Sequence, residues 1–121
     1  MSRHKMTTET LLLLGFAADH SGFRYLVYGL DLIFADDTLL TSITCSLYPA
    51  IAQKYAVTPG SVERCIRFAI GHAWAKGGRK QWQKYFGQEI AKQPGNARLI
   101  ATMHELLTPE AEQLSLFSEA L

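Results

Sequence analysis

Apolar residues recur at intervals of three or four along almost the whole chain, and no stretch alternates with Asn-Gly or Asp-Gly turns in the way hairpins require. A chain so patterned is restricted to an all-α fold. Its 121 residues, 48% hydrophobic and 19% charged, suffice for one packed core and not for two. The expectation is a compact bundle of about six helices.

Proline, glycine and capping residues divide the chain. Helices are expected over about 7–14, closed near Gly15, and over about 22–35, with Leu26, Leu30, Ile33 and Phe34 on one side. Residues 38–47 carry Leu39, Leu40, Ile43 and Leu47 at helical spacing, and Pro49 opens a short helix reaching Tyr55. Thr58 is placed to cap a long helix whose first residue is Pro59. Val62, Ile66, Ala69, Ile70, Ala73 and Trp74 form its buried stripe, and Gly77-Gly78 ends it. Trp82 and Phe86 mark a further short helix stopped at Gly87. Asn96 is expected to cap a last helix through Leu107, with Leu99, Ile100, Met103, Leu106 and Leu107 inward. The division expected is therefore a domain over 1–107 and a tail or short helix over 108–121.

Several classes of function find no support. Two cysteines, twenty residues apart and outside any Cys-x-x-Cys pair, indicate neither a disulfide scaffold nor a zinc site. His4, His20, His72 and His104 lack partners at metal-ligand spacing, so no metal or other cofactor is expected. Asp19-His20 and the separate Cys45 and Cys65 make no nucleophile, base and orienting group, so the chain does not read as an enzyme. Arg3, His4 and Lys5 precede the apolar run Leu11 to Ala18, but Gly15 and Asp19 break it and no small-residue cleavage pattern follows. That run reads as a buried helix, nothing reaches membrane-spanning length, and a cytoplasmic, nucleoid-associated protein is expected.

Charge is unevenly spread. The formal net charge is +1, yet residues 60–85 hold six basic residues against Glu63 alone, a local charge of +5. Residues 99–121 hold four glutamates and no Lys or Arg. A basic block made of one helix face plus Lys76, Arg79, Lys80 and Lys84 can complement phosphates, while a solvated surface is the plainer reading of charge alone.

Within residues 51–67 the spacing fits a helix-turn-helix. Such a unit needs a small residue where the helices cross, a sharp turn four residues on, and apolar residues that pin the second helix. Ala52, Ala56, Val57 and Val62 stand at those places. The turn position favours Gly or Asn because it takes a positive φ, which costs Ala56 about 1 kcal/mol. The second helix then lies in the major groove with its first residues at base edges. Arg64 can bond guanine O6 and N7, Glu63 can accept from cytosine N4, and Arg67 is set for phosphate; an exposed face of these three residues with a local ion pair is the plainer alternative.

At these residues the chain resembles the C-terminal DNA-binding effector domain of the master response regulator of sporulation initiation. The likeness spans residues 8–107 and is densest at Leu39-Leu40-Thr41-Ser42-Ile43-Thr44, Leu47-Tyr48-Pro49-Ala50-Ile51-Ala52 and Ser61-Val62-Glu63-Arg64-Cys65-Ile66-Arg67, leading to Ala73-Trp74. The resemblance implies a six-helix domain that binds a promoter element in double-stranded DNA, as a monomer or tandem dimer, and regulates transcription. It implies base contacts by Glu63 and Arg64 and a backbone contact by Arg67. Ser61 stands where the family has an arginine that helps hold the DNA, and Phe68 where it has a histidine. Residues 75–88, ending in Lys84-Tyr85-Phe86-Gly87, resemble more loosely the region through which the family touches RNA polymerase's sigma subunit. The chain begins almost on the effector domain, so a stand-alone effector without a receiver domain is expected.

Beyond that likeness, Gln113-Leu114-Ser115-Leu116-Phe117 resembles the pentapeptide by which bacterial replication and repair proteins dock on the sliding clamp. This gives an alternative reading as a clamp-binding adaptor and replication regulator. Leu114, Phe117 and Leu121 are also spaced as one side of an amphipathic helix that packs on the domain or on a second copy.

Overall fold

The computed structural model describes residues 2–108, whose regular structure is all helical, with no strand among them. Six α-helices run in the order α1 (Arg3–Leu13), α2 (Ser21–Ala35), α3 (Tyr48–Tyr55), α4 (Pro59–Lys76), α5 (Arg79–Phe86) and α6 (Asn96–Leu106). The tail residues Gln113, Leu114, Leu116 and Phe117 lie outside the described residues.

Helix α1 starts four residues before its expected Thr7. Ser2 caps it by accepting from the Lys5 amide at 3.1 Å, and Thr7, fully buried, satisfies its hydroxyl by donating to the Arg3 carbonyl at 2.9 Å. The 38–47 stretch departs further from expectation. It is a 3₁₀ turn (Asp37–Thr41) followed by a π turn (Ile43–Leu47), divided at Ser42. Asp36 Oδ1 accepts from both the amide and the hydroxyl of Thr38, which tightens the first turn. The Leu47 amide reaches back to the Ser42 carbonyl, which widens the second. Leu39, Leu40 and Ile43 still meet the core, while Leu47 is buried in it.

Helices α2 and α4 form the centre. Leu26, Leu30 and Ile33 of α2 face Ile66, Ile70 and Ala73 of α4, with Ile51 of α3 and Leu99, Ile100 and Met103 of α6 completing the cluster. The two central helices approach closely at Gly22, where an added methyl group would strike the Cys65 carbonyl and lie 2.8 Å from Ala69 Cβ. Trp82 and Phe86 of α5 are core residues, their rings 5.3 Å apart, and Trp82 also meets Trp74 and Phe16.

Two expectations for α6 are corrected. Gly95 is its N-cap, and Asn96 makes no capping bond. The Asn96 amide instead donates to Tyr48 Oη at 3.1 Å and to the Glu63 carbonyl at 3.0 Å, joining α6 to α3 and α4. Leu106 is exposed, whereas Leu107 is buried. Leu106 falls on the edge of the apolar stripe beside Leu99, a position that helical spacing alone does not separate from the interior.

Candidate nucleic-acid interface

The link between α3 and α4 sets the site. Helix α3 ends at Ala56 in the left-handed conformation, φ 56° and ψ 46°, the one non-glycine residue with positive φ among those described. The Val57 amide closes the turn on the Ala52 carbonyl at 3.0 Å. Thr58 then caps α4, its hydroxyl accepting from the Ser61 amide at 3.1 Å, with Pro59 in the first turn. Ala52 and Val62 are buried and Val57 is packed against the core, as expected for a helix pair crossing at a small residue.

Beyond that turn, α4 presents Arg64, Arg67, Phe68 and Ala75 as one exposed stripe, with Glu63 and Ser61 half-buried beside it. The spacing of 100° per residue puts Arg67 and Phe68 on either side of Arg64, one turn along. Glu63 and Arg67 form an ion pair between adjacent turns. Such a pair contributes a few tenths of a kcal/mol at about this exposure. Arg64 makes no ion pair among the described residues, and its guanidinium lies back over the first turn, where Gly60 leaves it room. Behind it a cleft of about 350 Å³ separates α4 from the start of α2.

Of the residues predicted for this site, Ser61, Glu63, Arg64 and Arg67 are thus brought together on the first three turns of α4. Lys76, Arg79 and Lys80 are exposed but form a separate group around the Gly77-Gly78 corner, about 18 Å along the axis from Arg64. Asn96 and His20 escape a reading by spacing. The first fixes the backbone of Glu63 from 33 residues away; the second places its ring 5.3 Å from that of Phe68. Asn96 carries only the signal of a cap, and His20 only that of a polar residue at a helix start.

A helix-turn-helix with a capped second helix and a cationic outer face belongs to the DNA-binding regulatory domains of the all-α class. Residues 7–107 match the family described as Sporulation initiation factor Spo0A C terminal. The chain belongs to this family of response-regulator effector domains, which bind DNA and regulate transcription in sporulation. Among the described residues no group of three His, Cys, Asp or Glu could hold a metal ion, and no helix is long and apolar enough to cross a membrane.

Proposed function

We propose that the chain recognises a specific double-stranded DNA element by laying α4 in the major groove. Glu63 and Arg64 meet base edges; Ser61 and Arg67 meet phosphates beside them; Lys76, Arg79 and Lys80 meet phosphates further along. The observation that carries this reading is Arg64, an exposed guanidinium held by no other side chain among the described residues, on the first turns of a capped helix behind a left-handed turn. Its planar fork suits guanine, and its neighbour Glu63 suits cytosine. On contact Arg67 exchanges the Glu63 carboxylate for phosphate, which frees that carboxylate for a base.

The test is a fluorescence-anisotropy titration at near-physiological salt, comparing a duplex obtained by selection from a random pool with a scrambled duplex of equal length. Arg64→Ala is expected to lose about 1–3 kcal/mol on the selected duplex and little on the scrambled one, whereas Arg67→Ala weakens both alike. Equal losses on both duplexes for both variants would overturn the assignment.

A further inference from the structure

We propose that Phe68 is a specificity-determining residue, its ring packing on the C5 methyl group of a thymine beside the base pair that Arg64 reads. The proposal rests on the reading of α4 as the recognition helix. Phe68 is the most exposed large apolar side chain among the described residues, at 65%. It follows Arg64 by one turn on the same stripe, so a groove that takes Arg64 also meets Phe68.

Its surroundings define what can cover it. One side of the ring is braced by His20, at 5.3 Å between centroids, and His20 is itself set edge-on to His72 at 4.7 Å. The bracing limits where the phenyl can swing and leaves its other side open. Arg64 and Asp19 line the adjoining cleft with it, and Arg67, next to it in the chain, is paired with Glu63. The other exposed large apolar residues among those described, Met6, Leu12, Leu13 and Leu106, belong to α1 and α6 rather than to α4. A lone ring rimmed by charged and polar groups, including Arg64, which is unpaired among the described residues, is a poor seat for an apolar protein surface. It suits a partner that offers negative charge and an isolated methyl group together. The major groove of DNA offers that pair, phosphates at its edges and thymine methyls on its floor.

The test removes only the methyl group. In the selected duplex each thymine is replaced in turn by deoxyuridine, and wild type, Phe68→Ala and Phe68→Leu are titrated at one salt concentration. One replacement, adjacent to the position where Arg64→Ala loses preference, is expected to weaken wild type about fourfold, the worth of one buried methyl group. The same replacement leaves Phe68→Ala unchanged, while Phe68→Leu keeps part of the loss. A selected duplex without thymine at that position, or replacements that weaken wild type and Phe68→Ala equally, would overturn the proposal. If Arg64→Ala behaves as expected while the deoxyuridine series is flat, Phe68 alone loses its role. If Arg64→Ala loses equally on scrambled DNA, the recognition helix is misassigned and both readings fall.

Discussion

Ala56 carries a methyl group where the turn asks for a residue without one. Its φ of 56° is accessible to alanine at a cost of about 1–2 kcal/mol, part of which a glycine would return as unfolded-state entropy. Ala56→Gly is therefore expected to stabilise the fold by about 0.5–1 kcal/mol, seen as a higher urea midpoint with an unchanged slope. A fall in the midpoint would show that the alanine is held by contacts that the backbone angle does not reveal. Ser61 is a second single-residue question. Its amide serves the Thr58 cap, leaving the side chain at the edge of the reading face. Ser61→Arg adds a cation there and is expected to steepen the dependence of log K on log salt by about one counterion, read from titrations across a salt series. An unchanged slope would place residue 61 away from the phosphates.

The α3–α4 unit was legible because its signals are local and physically independent: a Pro that tolerates a first turn, a Thr that caps it, and alanines at a crossing and a turn. The 38–47 stretch was not. Leu39, Leu40, Ile43 and Leu47 meet the core from a 3₁₀ turn and a π turn as well as they would from an α-helix, and pieces of five residues are too short for periodicity to tell these apart. The Glu63–Arg67 pair, spaced four apart on one helix, was open to sequence reasoning; the Asn96 bonds and the His20–Phe68 contact, across 33 and 48 residues, were not. Gly22 carries a consequence at this scale. Because α2 meets α4 there with no room for a methyl, Gly22→Ala must push the two central helices apart, at a cost of about 1–3 kcal/mol. Thermal unfolding measures it, and a melting temperature equal to wild type would mean that the contact yields freely.

At the scale of the whole molecule the charge is arranged as well as unequal. The six basic residues of 60–85 lie on α4 and α5, while Asp36 and Asp37 line a hollow with Arg3, Phe34, His104 and Thr108. Helix α2 links the two regions. Gly22 rests on α4, and Phe34, about 18 Å further along the axis, stacks on His104 at 5.5 Å. Helix α6 runs the same way, with Asn96 bonded to Glu63 and its last turn at that hollow. The molecule therefore has a front and a back. Thr108, the last of the described residues, stands at the back, in the hollow away from Arg64. A bulky fluorescent protein fused directly after Thr108 is accordingly expected to leave DNA affinity within about twofold of the same residues unfused, a difference of ~0.4 kcal/mol; a tenfold loss would put both on one side. With Thr108 so placed, the domain can hold a duplex in front and be held from behind, as a mooring post takes a rope without giving up its footing.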